Sequence, residues 1–231
     1  MPWIDSLNWE YKTIFNIDER AFSKQRINIV FDGLDTYAAI YLNNKLILQA
    51  DNMFRGWTVN VKPLLRRNNN ELRILFTSAL KVTDNIAQSR LPLVLPDNNR
   101  VYARKAQFQF GWDWGPKFIG CGIWKPIRLE AWNGTRIVAS IVHNTSYIKL
   151  AQQKDSMGTS FFFEKEGTPI YIEGSNWIPA DIFLPRVKKE DYVRLLQMAK
   201  DAQNNMFRVL IGGSFEDYVI SDLCDEVEVL C

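Results

Sequence analysis

The sequence predicts two textures in succession: a β-sandwich of the jelly-roll kind, then the first units of an incomplete parallel α/β barrel. Three observations carry that reading. Short apolar or alternating segments follow one another from about Asn8 to Trp132, an Asn43-Asn44 pair sits where a tight hairpin needs it, and after Gly158 the pattern changes to strand and helix in alternation.

Taken in order, Ile27 to Phe31, Tyr37 to Leu42, Lys45 to Leu48, Trp57 to Val61 and Glu71 to Phe76 are short and rich in β-branched and aromatic residues. Turn formers lie between them, Asp32-Gly33 and Asn43-Asn44 being the clearest. Beyond Gly158, Phe161 to Lys165 and Thr168 to Glu173 read as strands, and Pro179 to Pro185 as a loop. Lys188 to Asn204 reads as an amphipathic helix with Tyr192, Leu195, Leu196, Ala199 and Ala202 on one face, and Glu190 and Asp191 near its positive end. A strand Phe207 to Ile211, the pair Gly212-Gly213, a shorter helix through Leu223 and a strand Val227 to Cys231 complete the pattern. A closed barrel takes eight such units and about 250 residues, whereas this series reaches only its second or third. The expected organisation is a sandwich over residues 1–132, a linker or remnant over 133–159 and a barrel fragment over 160–231.

Composition excludes several classes. With 47% hydrophobic and 13% aromatic residues, a chain of 231 residues can build a packed core. The 28 basic and 26 acidic residues leave +2, too small and too dispersed to predict nucleic acid or an anionic membrane as partner. No apolar run approaches the roughly 20 residues that span a bilayer, and the start Met1-Pro2-Trp3-Ile4-Asp5 lacks the pattern of an export signal. Cys121, Cys224 and Cys231 form no CxxC pair, so they leave the redox compartment open. The sequons at Asn133 and Asn144 matter only in a secretory route.

The run Gln109-Phe110-Gly111-Trp112-Asp113-Trp114-Gly115-Pro116 sets one carboxylate between two indoles in a turn-prone segment. Indoles in β-proteins serve either the core or a ligand; a sugar ring would suit both groups, its C–H face on an indole and its hydroxyls on Asp113. Catalytic patterns are otherwise scarce. His143 is the single histidine, Gly212-Gly213-Ser214-Phe215-Glu216 misses the nucleophile elbow, and no phosphate-binding glycine loop occurs. Glu216, Asp217, Asp222, Asp225 and Glu226 read as a solvated helical face. No metal or cofactor is expected.

Five segments in order resemble the β-mannosidases of glycoside hydrolase family 2. They are Val30 to Thr36 with Ile40 to Asn43; Asp51 to Arg55; Arg104 to Gln107 running into Gly111 to Pro116 and Gly122 to Lys125; Gly174 to Asp181; and Phe207-Arg208-Val209 leading to Leu223 to Glu226. In that family a jelly-roll sugar-binding domain precedes an immunoglobulin-like sandwich and a (β/α)8 catalytic barrel. The resemblance implies that Trp112, Asp113 and Trp114 help enclose a terminal mannose, with Asp113 accepting from its hydroxyls. Arg208 matches an arginine that contacts the same sugar; Asn176, Trp177 and Asp181 match the loop after the first barrel strand, where they shape that loop or touch sugar.

The family hydrolyses terminal β-mannosides with retention, using one glutamate as acid/base and another as nucleophile, and the resemblance implies action on glycoprotein-derived oligosaccharides in lysosomes. The acid/base follows an asparagine, and the one Asn-Glu pair here, Asn70-Glu71, lies in the sandwich. No residue of this chain is therefore assigned a catalytic role. Most of the immunoglobulin-like domain is missing between Glu130 and Phe161. The family's tryptophan and first glycine after Arg-Val are Leu210 and Ile211 here, and a glycine before the next strand is Glu228. Two other readings stand beside the hydrolase one: a non-catalytic carbohydrate-binding or pseudoenzyme fragment, and an incomplete gene model.

Overall fold

The computed structural model describes residues 2–96, 98–137, 148–210 and 218–231. His143, the sequon at Asn144, Gly212 to Asp217 and Ile211 lie outside the described residues. The chain divides into two units, the first comprising Met1–Arg136 and Asp181–Arg186, the second holding the other described elements.

The first unit is a sandwich of two antiparallel sheets. Its strands are β1 (Trp9–Phe15), β2 (Arg26–Phe31), β3 (Leu34–Asp35), β4 (Tyr37–Leu42), β5 (Lys45–Asp51), β6 (Trp57–Asn60), β7 (Asn70–Thr77), β8 (Gly122–Ile123) and β9 (Ile127–Trp132). One sheet runs β1-β7-β4-β5, the other β6-β2-β9, and β3 pairs with β8. Strict alternation decides which side chains meet. In β4 and β7 every second residue is buried, and the register sets Ile40 beside Ile74, Leu42 beside Leu72 and Ala38 beside Phe76. Facing them from β2 are Ile27, Ile29 and Phe31, all buried in the same cluster.

The hairpin between β4 and β5 turns on Asn43 and Asn44, both at positive φ (51° and 66°), the conformation a two-residue hairpin turn with the sheet's own twist requires. Asn43 does more than turn. Its amide donates to Leu64 O at 2.8 Å and to Asn70 Oδ1 at 3.1 Å, while its Oδ1 accepts from Glu71 N at 3.0 Å. Fully buried Asn70 donates in turn to Arg66 O at 2.6 Å and accepts from Arg66 N at 2.8 Å, so this end of the sandwich closes on amide side chains.

Three short or moderate helices accompany the sheets: α1 (Pro2–Asp5), α2 (Glu19–Phe22) and α3 (Ala79–Ser89). The last occupies a stretch in which the sequence predicts no element, because Val82, Thr83, Asp84 and Asn85 are weak helix formers. Capping offsets that weakness. Ser78 accepts from Lys81 N at 3.3 Å.

A buried ion pair ties the sandwich to the segment that follows α3. Lys105 Nζ donates to Asp35 Oδ2 at 2.5 Å and to Gly120 O at 2.7 Å, with both residues buried; the Thr36 hydroxyl donates to the other Asp35 oxygen. Burial pushes the neighbouring Cys121 thiol up to about 11, against the opposing pull of the Lys105 charge.

The second unit begins with an antiparallel sheet of β10 (Ile148–Ala151), β11 (Phe162–Lys165) and β12 (Thr168–Ile170). β11 and β12 fall within the two predicted strands and pair as a hairpin turning on Glu166 and Gly167 at positive φ, while β10 falls in a segment read as linker or remnant. Next come β13 (Gly174–Trp177), α4 (Lys189–Asp201) and β14 (Met206–Val209), with β13 and β14 parallel, and then α5 (Tyr218–Glu226). A Cβ at Gly174 would stand 2.0 Å from Met206 O, so only glycine permits this pairing. The predicted face of α4 buries Tyr192 and Leu196 and half-buries Leu195 and Ala199; Ala202 lies beyond the last helical turn and is exposed. The predicted strand at Val227 to Cys231 reduces to one parallel bridge between Met206 and Leu230, because Glu228 at φ 59° breaks the extended backbone. Among the described residues no helix is long and apolar enough to cross a membrane.

Two stability outcomes follow from these contacts. Asn70→Ala is expected to lower the free energy of unfolding by about 2–3 kcal/mol, because it strands several buried backbone and amide partners, whereas Asn44→Gly changes it by less than about 1 kcal/mol. Lys105→Met is expected to cost about 3–5 kcal/mol by leaving Asp35 charged and buried, and the double variant Lys105→Met/Asp35→Leu to recover about 2 kcal/mol of that. Urea denaturation followed by tryptophan fluorescence measures both. Equal losses for Asn70→Ala and Asn44→Gly, or a double variant weaker than Lys105→Met, would contradict these assignments.

Candidate functional site

The Trp-Asp-Trp segment is built from the buried ion pair outward. Directly after Lys105, Ala106 and Phe108 are fully buried with Met53, and Gln107–Phe110 forms a single tight helical turn. Gly111 at φ 99° then redirects the chain. Trp112 and Gly115 exchange backbone hydrogen bonds, Trp112 N to Gly115 O at 3.0 Å and Gly115 N to Trp112 O at 3.2 Å, which leaves Asp113 and Trp114 as the two central residues of a tight turn. Phe118 N donates to Gln109 O at 2.9 Å and closes the loop at its base.

Within this turn the three side chains are placed differently. Asp113 is exposed at the tip, while both indoles are half-buried. Trp114 packs on Phe108, ring centres 5.4 Å apart, and the Arg100 guanidinium lies 5.0 Å from the Trp112 ring centre. One face of each indole is therefore already partnered. The Trp114 Nε1–H and the Gln109 Oε1 are buried and find no hydrogen-bond partner among the described residues. Trp124 adds a further indole to the same cluster, its Nε1–H donating to Met53 O at 2.9 Å, and its ring lies so close to Gly33 that a Cβ there would sit 2.4 Å from Nε1.

Asp181 belongs to the first unit, in the segment Asp181–Arg186. Its carboxylate accepts from Phe183 N at 2.7 Å and from Arg186 in a forked pair, Nη2 at 2.6 Å and Nε at 3.0 Å. Burial works against its ionisation, yet the Phe183 N–H and the Arg186 guanidinium outweigh it and hold Asp181 below the usual aspartate range. The segment it shapes packs Ile182 and Leu184 onto the Met53–Phe108 cluster and sets Phe183 edge-on to Phe118 at 4.9 Å. Gln109, Phe118, Trp124, Phe183 and Arg186 line a cleft of about 470 Å³ there.

Asn176, Trp177 and Arg208 lie in the second unit. Asn176 and Trp177 are part of strand β13 itself rather than of the loop after it, because the parallel pairing with β14 runs through Trp177. Asn176 is the register partner of Arg208, so these two exposed side chains stand side by side on one face. Trp177 points the other way. It is buried, stacks on Tyr192 at 6.2 Å and meets Phe207 edge-on at 5.3 Å, which makes its indole a core group of this unit. Asp222, Asp225 and Glu226 are exposed on α5, as a solvated face requires. Among the described residues no group of histidine, cysteine, aspartate or glutamate side chains is arranged to hold a metal ion.

Sequence reasoning assigned no role to Lys105, Asp35, Met53 or Trp124, which position the turn. Lys105 stands between Arg104 and Ala106, and the partner that gives it meaning lies 70 residues away.

The glycosyl hydrolase 2 galactose-binding domain-like family matches residues 1–125. Beta-mannosidase B of Thermothelomyces thermophilus is 27% identical over 331 residues, covering 100% of this chain and 38% of that protein. Beta-mannosidase of Rattus norvegicus is 28% identical over 340 residues, covering 99% of this chain and 38% of its own length. Both alignments exceed the 231 residues of this chain and so open gaps within it. The crystal structure of a beta-D-mannosidase from Dictyoglomus thermophilum matches with a TM-score of 0.93 at 29% identity, over 99% of this chain and 40% of that one. The chain thus spans about two fifths of the length of the relatives it matches. With the family matched across more than half of its residues, the chain belongs to the glycosyl hydrolase 2 family through a galactose-binding domain-like part.

Proposed function

We propose that this chain is the sugar-binding part, with the opening of the barrel, of a retaining β-mannosidase acting on terminal β-mannose of oligosaccharides. The observation that carries the reading is the match of nearly the whole chain to the Dictyoglomus thermophilum beta-D-mannosidase at 29% identity and a TM-score of 0.93. On this reading residues 1–132 are the jelly-roll domain, 133–159 a remnant of the immunoglobulin-like sandwich and 160–231 a barrel fragment. The parallel β13–α4–β14 unit has the form a barrel opening takes. The gaps in the alignments are the expected trace of the missing sandwich. A lysosomal place of action is part of the same proposal.

The roles divide by chemistry. Asp113, exposed at the tip of its turn, accepts hydrogen bonds from mannose hydroxyls, and the edges of Trp112 and Trp114 flank the ring. Asn176 and Arg208 present neighbouring polar groups to sugar oxygens. Asp181 shapes its loop through Arg186. Retaining hydrolysis needs a proton donor and a carboxylate nucleophile about 5 Å apart, and no residue here is matched to either role. The purified 231-residue chain is accordingly expected to leave a chromogenic β-mannoside intact, and measurable turnover that survives further purification would overturn this.

A second reading is favoured by one observation: the first unit has its own buried core and its own exposed Asp113 turn, as a non-catalytic sugar-binding module would. Calorimetric titration with mannose separates the two. The first reading expects dissociation constants of about 1 mM or weaker, because the site is shared with residues this chain lacks, whereas micromolar binding abolished by Asp113→Ala would establish the module.

A further inference from the structure

The second unit holds a pair of thiols that sugar binding does not use. Cys224, near the end of α5, is buried among Ile220, Leu223 and Val229; Cys231 is exposed, and both are free. The chain between them reverses. Val227 N donates to Leu223 O at 3.1 Å, Glu228 N to Asp225 O at 3.2 Å, and Val229 N to Cys224 O at 3.0 Å. Leu230 is then held from both sides, its N–H donating to Asn205 O at 2.9 Å and its carbonyl accepting from Phe207 N at 2.7 Å. In extended chain, residues two apart share a face, so Cys231 falls on the side of Val229, which packs beside Cys224. The Cys231 thiol also bears on Cys224, adding to the effect of burial in raising it.

We propose that Cys224 and Cys231 form a redox-sensitive disulfide that staples the returning segment Val229 to Cys231 onto α5, with a small disulfide such as glutathione disulfide as the oxidant. The two sulfurs differ in reactivity. Burial, followed by the Cys231 thiol, pushes Cys224 up to about 12, so it is the slower of the two to ionise and attack, and exposed Cys231 reacts first. The Cys231 thiolate attacks one sulfur of the oxidant, whose S–S bond breaks, forming a mixed disulfide and releasing one glutathione. Cys224 then loses its proton to solvent and attacks the Cys231 sulfur, releasing the second glutathione. The protein gives up two electrons and two protons, and glutathione disulfide takes up both.

The test equilibrates the full chain in glutathione buffers from reducing to oxidising, quenches in acid, alkylates and digests with trypsin. No lysine or arginine follows Arg208, so both cysteines stay on one peptide, residues 209–231, and Cys121 falls on another. In oxidising buffer that peptide is expected to be lighter by two hydrogens and resistant to alkylation, and in reducing buffer to carry two alkyl groups. Hydrogen exchange at the Leu230 amide is expected to slow about tenfold on oxidation. Two alkylatable thiols in oxidising buffer, a persistent glutathione adduct, or a Cys231-linked dimer would each overturn the proposal. Cys231→Ser is expected to abolish the light peptide and to leave the peptide carrying one alkyl group, on Cys224, in both buffers; a light peptide that survives this change would also overturn it.

Discussion

Everything that positions the Trp112–Gly115 turn depends on the buried contact between Lys105 and Asp35. An ammonium and a carboxylate removed from water each cost several kcal/mol unless fully paired, so the contact tolerates little displacement. Here it is fully paired: Lys105 bonds Asp35 and Gly120 O, and Asp35 takes a second bond from Thr36. Asp35 is also the register partner of Gly122 in the β3–β8 pair. One ion pair thus holds both ends of the loop from Lys105 to Gly122 against the sandwich, and the turn at its far side inherits that fixed base.

The aromatic residues then decide what the loop can offer a ligand. An open indole stacks on a sugar ring, but Trp112 already faces Arg100 and Trp114 already faces Phe108. Such contacts are worth about 0.5–1.5 kcal/mol each, enough to hold the rings in place. The polar tip at Asp113 is consequently presented from a stiff aromatic base. Asp181 plays a comparable part nearby, its fork to Arg186 fixing the loop that carries Phe183 against Phe118.

In the second unit a single step along one strand separates surface from core. Asn176 faces outward beside Arg208, and Trp177, the next residue, turns into the cluster with Tyr192, Leu196 and Phe207. The same two-residue period that puts Asn176 within reach of a solute commits Trp177 to packing.

By itself the sequence determined the sandwich, the Asn43-Asn44 hairpin, the strands on either side of Glu166-Gly167 and the helix at Lys189–Asp201, because alternation, turn chemistry and helical spacing are local properties. It also determined the family, through motifs spread along the chain. Only the tertiary structure decided that Lys105 is a buried anchor, that helix α3 exists, that Trp177 is core and that Asp181 joins the first unit. The physical reason is common to these cases. The partner of Lys105 lies 70 residues away, the cap of α3 draws on Asp5 O and Asn8 at the start of the chain, and the burial of Trp177 needs Phe207 from a second strand, so none of them is written in a local window.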